Sequence, residues 1–298
     1  MEARPRTRSA APSRTGSPAL TVWTLGPLRL ARDGEAIPPT AWHRLKARTL
    51  FAYLLCARPR RVHKEVLIDL LWPDAEPNRG AHALQVTLSD LRRTLGGGDH
   101  LRRVGPLYGL ELGEAGAVDV ELFEEECERA RLRAEAGETD AALNHLLAAQ
   151  VLYRGDFLAE EPYADWAVAR RERLRDDYVD VLLRLERHYE AAGGIELAAR
   201  YAKQVLAVDP YLEPCYRDLM RYLKALGDHG GVLRTYVRCQ EAMRDGFDGE
   251  VAAETRALAQ SLIGARVDTV AQRHRRTHRW PGPCVPRIRR AADAAGGR

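Results

Sequence analysis

At 298 residues, 45% hydrophobic and 30% charged, the chain has the make-up of a globular protein with room for about two domains. Its longest charge-free apolar candidate, AALNHLLAAQVLY, falls short of the roughly 18 residues a membrane helix needs, and its N-terminus lacks the apolar stretch of a secretory signal. The net charge is +4, but it is spread unevenly, at +8 over residues 1–112, −11 over 113–264 and +7 over 265–298, so the first segment is the one suited to meet a polyanion.

Residues 1–19 are basic and rich in Pro and Ser, which predicts a disordered leader. From Leu20 the runs LTVWTLG and LRLARDGEAI alternate like strands, with Asp33-Gly34 as a turn between them. Pro38-Pro39 closes this small sheet. Helical spacing follows, with Ala47, Leu50, Phe51, Leu54 and Leu55 on one face of a first helix. A short helix, KEVLIDLLW, a polar loop, PDAEPNRG, and a third helix, AHALQVTLSDLRRTL, come next, the last stopped by Gly96-Gly97-Gly98. An extended stretch, LRRVGPLYGLEL, completes a unit over residues 20–112. Strands, three helices and a terminal hairpin in this order predict a winged helix-turn-helix.

Residues 113–264 read as helical throughout, with breaks at Gly137, Gly155, Gly193-Gly194, Pro210, Gly227 and Gly246. GGIELAARYAKQV and HGGVLRTYVRCQ superpose with Tyr201 over Tyr236, close to the roughly 34-residue period of tetratricopeptide repeats. The fold class is therefore mainly α: a winged helix followed by an all-α helical-repeat domain that binds protein. Residues 265–298 show neither period nor core and are expected to be a disordered basic tail.

On a helical wheel, Leu84, Leu88, Leu91 and Leu95 form the buried stripe of the third helix. The opposite face carries His82, Val86, Ser89, Asp90 and Arg93, flanked by Gln85 and Arg92. These residues suit base edges in a major groove: Gln for adenine, Arg for guanine, Ser for either, and Val for a thymine methyl. Asp90 reads a cytosine amine or pairs with Arg93. Phosphate contacts are expected from Lys46, Arg48, Arg61, Lys64, Arg79, Arg92, Arg102 and Arg103 around it.

Catalytic patterns are missing. None of Lys46, Lys64, Lys203 or Lys224 closes a phosphate-binding loop, and neither GxSxG nor HExxH occurs. Glu124-Glu125-Glu126 point in different directions on a helix, and His274 and His278 lie in the arginine-rich tail, so no metal and no cofactor is expected. Cys56, Cys127, Cys215, Cys239 and Cys284 are odd in number and form no CxxC pair, which fits a reducing cytoplasm. A second reading stays open, in which the winged helix has lost DNA and serves as a protein-interaction scaffold.

Taken together, LTVWTLGPLRLARDGEAI, KARTLFAYLL, HKEVLIDLLWPDAEPNRGAHALQVTLSDLRRTLG, VDVELFEEECERA, YRGDFL and ETRAL resemble the Streptomyces antibiotic regulatory protein class of activators. Members of that class join an OmpR/PhoB-type winged helix to a bacterial transcriptional activator domain. The resemblance implies binding to direct repeats in double-stranded DNA near promoters, usually as a homodimer, with contacts to RNA polymerase. It places the recognition positions at His82, Gln85, Val86, Ser89, Asp90 and Arg93. Asp90 stands where the class commonly has a basic residue, Leu107 replaces the Gly usual before the wing tyrosine, and His63 replaces a Ser or Thr helix cap. The class's larger members add a nucleotide-binding module. The absence of a phosphate loop here implies no nucleotide, and the expected place of action is the bacterial cytoplasm, on the nucleoid.

Overall fold

The computed structural model describes residues 18–263. Nearly all of the expected leader and the whole of the expected tail, with His274, His278 and Cys284, lie outside the described residues. The chain divides into two compact units between His188 and Tyr189.

The first unit opens with β1 (Leu20–Trp23), β2 (Arg29–Arg32) and β3 (Glu35–Ile37), a short antiparallel meander. Leu20 and Val22 face inward and alternate with half-exposed neighbours, as strands with one buried face do. Asp33 and Gly34 both take positive φ, 52° and 85°, the geometry a two-residue hairpin needs to match strand twist.

A 3-10 turn at Pro39–Ala41 leads into α1 (Leu45–Cys56), which buries the five apolar residues its spacing picks out, Ala47, Leu50, Phe51, Leu54 and Leu55. Then come β4 (Arg61–His63), α2 (Lys64–Leu71) and α3 (Pro77–Leu95). α3 begins inside the expected polar loop because Pro77 occupies its first turn, where the missing N–H costs nothing. Gly96, at φ 80°, ends it by donating its N–H to the Arg93 carbonyl at 3.1 Å. β5 (Leu101–Val104) and β6 (Leu107–Leu110) form the terminal hairpin. β4 pairs with β6, giving a sheet of order β4-β6-β5. Three residues are too few to show an alternation, so β4 left no periodic mark in the sequence.

The expected boundary after residue 112 is not where packing divides. β7 (Ala117–Val118) runs parallel to β1 and completes a sheet of order β3-β2-β1-β7. α4 (Asp119–Glu135) follows at once, and the Asp119 carboxylate is buried against the end of β1. It accepts from Thr24 N–H at 2.7 Å, Thr24 Oγ1 at 2.8 Å and Leu25 N–H at 3.0 Å. α5 (Thr139–Leu152) packs on α4, and α6 (Asp165–Ala191) follows a loop whose carbonyls at Phe157 and Glu161 accept from Arg171. Phe123, Tyr153 and Tyr178 form an aromatic cluster among these helices, with Tyr153 and Tyr178 stacked at 4.0 Å.

In the second unit, α7 (Ile195–Val208), α8 (Glu213–Ala225), α9 (His229–Phe247) and α10 (Ala253–Ile263) pack on one another. One tight turn recurs along the helical region, before α5, α7 and α9. Gly137, Gly193 and Gly227 take φ of 76°, 75° and 77°, and the N–H two residues on bonds back to each glycine carbonyl at 3.0–3.1 Å. α7 and α9 start at Ile195 and His229, 34 positions apart, and both Tyr201 and Tyr236 are buried, consistent with helical repeats. Gly246 does not break α9. Asp248 ends that helix at φ 54°, whereas Gly246 makes room for a ring, since a Cβ there would sit 2.3 Å from Tyr211 Cε1.

Candidate nucleic-acid interface

α3 is held by leucines on one side and open on the other. Leu84, Leu88, Leu91 and Leu95 are at most 1% exposed, so burial of this stripe fixes the helix's rotation about its axis. That rotation leaves Arg79, His82, Gln85, Ser89 and Arg93 exposed, with Val86 and Arg92 half-buried. The outer face is thus polar and cationic, with a single aliphatic group near its centre.

Neighbouring elements join that face to the wing. Gln85 Nε2 donates to the Tyr108 hydroxyl on β6 at 2.9 Å, and the Lys64 N–H donates to Pro106 O in the β5–β6 turn at 2.9 Å. His63 Nδ1 accepts from Glu65 N–H at 3.3 Å, so this histidine caps α2 in place of a hydroxyl. Arg103 lies 5.7 Å from the Tyr108 ring centre and Arg102 pairs with Glu111 at 3.0 Å, both exposed on β5. Arg61 and Lys64 are also exposed, beside the wing.

Three expected positions fall elsewhere. Asp90 is not on the outer face. It is 7% exposed, because the segment ahead of α1 crosses that edge of α3. Thr94, one turn on, donates to the Ala41 carbonyl at 3.0 Å, and Arg44 Nε lies 2.7 Å from Asp90 Oδ2. A wheel sees one helix and not what crosses it, so a residue of the outer face that another segment covers is misassigned. Arg48 is mostly buried and ion-paired with Glu160 and Glu161 of the loop before α6. Two carboxylates there take the charge a phosphate would otherwise meet. Lys46 keeps exposure, but its ammonium donates to Leu71 O at the end of α2 and lies 4.6 Å from the Trp72 ring centre. It satisfies a terminal helix carbonyl.

Arg44 went unnoticed in the sequence because nothing marks one arginine in RLKAR as special. Its side chain is 60% exposed beside Arg93, itself 65% exposed and 3.5 Å from Asp90. Among the described residues no cluster of His, Cys, Asp and Glu could hold a metal, and no helix is long and apolar enough to cross a membrane. Burial pushes the Cys56 thiol up to about 11 and those of Cys127 and Cys239 up to about 12, so these cysteines stay protonated near neutrality.

Residues 118–263 match the model of the bacterial transcriptional activator domain. Transcriptional regulatory protein EmbR of Mycobacterium tuberculosis (strain H37Rv) is 27% identical over 270 residues, a match covering 84% of this chain and 65% of EmbR. Regulatory protein AfsR of Streptomyces coelicolor is 28% identical over 254 residues, covering 84% of this chain and 25% of AfsR. Regulatory protein DnrI of Streptomyces peucetius is 27% identical over 259 residues, covering 81% of this chain and 91% of DnrI. The chain therefore spans less than two thirds of EmbR and a quarter of AfsR. A solved structure, Mycobacterium tuberculosis EmbR in complex with low affinity phosphopeptide, shares the fold at TM-score 0.64 and 23% identity, over 88% of this chain and 70% of that one. The activator-domain match begins at the strand that completes the first sheet, and the relatives extend across the winged helix ahead of it. Residues 118–263 thus resemble a bacterial transcriptional activator domain, and most of the chain is similar to the regulatory proteins EmbR, AfsR and DnrI.

Proposed function

We propose that this protein is a sequence-specific, double-stranded DNA-binding activator of transcription. Residues 20–112 supply the DNA-reading segment, and residues 113–264 the activator segment. The observation that carries the reading is the outer face of α3. It is a polar, cationic helical surface, fixed in rotation by four buried leucines and flanked by an exposed basic wing.

His82, Gln85, Val86, Ser89 and Arg93 read base edges. Arg61, Lys64, Arg79, Arg92, Arg102 and Arg103 meet phosphates around them. Arg48 and Asp90 are left out, the first because acidic partners hold it and the second because it is buried. Lys46 is only partly available, since one of its three donors is spent on Leu71 and its ammonium lies over Trp72. Resemblance to the Streptomyces antibiotic regulatory protein class supports direct repeats near promoters as targets, a homodimer as the binding form, RNA polymerase as the partner of the acidic helical segment, and the cytoplasm as the compartment. A bare carboxylate at Asp90, where DNA would lie, would favour the scaffold reading, but that carboxylate is enclosed.

Arg93→Ala tests the assignment. It is expected to lower discrimination at one base-pair position of the bound site by about 1–3 kcal/mol while other positions keep their preferences. A competition assay with single-substituted duplexes measures it, and unchanged discrimination at every position would remove Arg93 from the reading set.

A further inference from the structure

A carboxylate buried at the edge of a DNA-reading helix needs a reason, because it would repel the phosphate backbone if left bare. Asp90 is enclosed by two arginines. Its Oδ2 lies 2.7 Å from Arg44 Nε and its Oδ1 3.5 Å from Arg93 Nη1. Oδ2 is hidden from solvent and makes no well-aligned hydrogen bond, so charge is what holds Arg44 there. The backbone beneath Arg44 is fixed independently. The Ala41 carbonyl accepts from Thr94 Oγ1 at 3.0 Å, and Trp42 packs on Phe51 with ring centres 5.7 Å apart.

Nε is the Arg44 atom nearest Asp90, and neither terminal amino group of Arg44 makes a hydrogen bond among the described residues. A guanidinium held this way offers the two parallel donors that fit a phosphate, with much of its rotamer freedom already spent. Resting on the reading of DNA by α3 proposed above, we infer that Asp90 is a positioning residue that sets Arg44 beside Arg93, and that Arg44 contacts a backbone phosphate flanking the groove. One buried carboxylate thereby orients a phosphate-binding and a base-reading arginine together. It also fixes the register of α3 against the backbone.

The test uses the full chain, a duplex selected by the wild type and an unrelated duplex of equal length. Arg44→Ala is expected to weaken binding to both by a similar factor, about three- to tenfold at moderate salt, and to make the salt slope shallower by about 0.9. Asp90→Asn, which keeps the shape, is expected to reproduce that loss and to shrink the preference for the selected duplex by roughly fivefold or more. Asp90→Glu recovers most of both. An unchanged salt slope in Arg44→Ala overturns the phosphate contact. Equal tightening on both duplexes in Asp90→Asn overturns positioning, since the carboxylate would then only repel. A lowered melting temperature in Asp90→Asn with slope and preference intact overturns it in favour of a purely structural anchor. A wild type with no preferred duplex removes the DNA-reading proposal itself, and this inference with it, which sets that failure apart from the others.

Discussion

Arg48 and Arg93 lie in the same basic segment, and only their surroundings separate them. Arg93 projects from α3 with most of its surface open, whereas Arg48 is 19% exposed against Glu160 and Glu161. Arg48→Ala is therefore expected to leave DNA affinity unchanged within about twofold, and to cost up to about 1 kcal/mol of stability in a denaturant melt. A tenfold loss of DNA affinity would return Arg48 to the interface. The buried leucines of α3 were legible in the sequence because a stripe of four has only one reading. The outer face was legible as a face, but not residue by residue. Asp90 and Arg48 were misplaced because partners from distant segments, at Arg44 and at the Glu160-Glu161 loop, cover them. Arg44 was missed for the same reason, since its importance comes from a neighbour 46 positions along the chain.

Among the elements, those with strong local chemistry were readable. The Asp33-Gly34 hairpin and the glycine stop at Gly96 follow from backbone conformations that few residues accept. β4 and β7, at three and two residues, were not, because strands so short are defined by pairing and not by pattern. The turn that recurs at Gly137, Gly193 and Gly227 gives the helical region its hairpins, and no atom lies within 4 Å of where a Cβ would sit at any of them. Any penalty at these sites is thus backbone strain without a clash. Gly137→Ala is expected to destabilise the protein by about 1 kcal/mol in a thermal or denaturant melt, with no change in helical content. Equal or greater stability in the variant would show that the turn relaxes to another conformation.

At the scale of the whole molecule, the winged helix is not closed by its own residues. Its first sheet takes its outer strand from Ala117–Val118, and the Asp119 carboxylate satisfies three donors at the end of β1. Composition and charge change near residue 112, which made that position look like a boundary. Packing carries the first unit on to His188. Asp119→Ala would leave the Thr24 and Leu25 N–H groups and the Thr24 hydroxyl buried without their acceptor. We expect a loss of about 3 kcal/mol or more in the unfolding free energy of the first unit, read from a denaturant melt. A loss below about 1 kcal/mol would mean that strand pairing and apolar packing join the two segments without help from the carboxylate.

The account as a whole stands on α3 reading DNA. The most direct measurement is selection of genomic fragments by the purified protein at two salt concentrations, followed by sequencing. The account predicts enrichment of a short direct repeat near promoters, retained at the higher salt while bulk binding falls steeply. Weak retention that vanishes at moderate salt, with no enriched motif at either concentration, would contradict it.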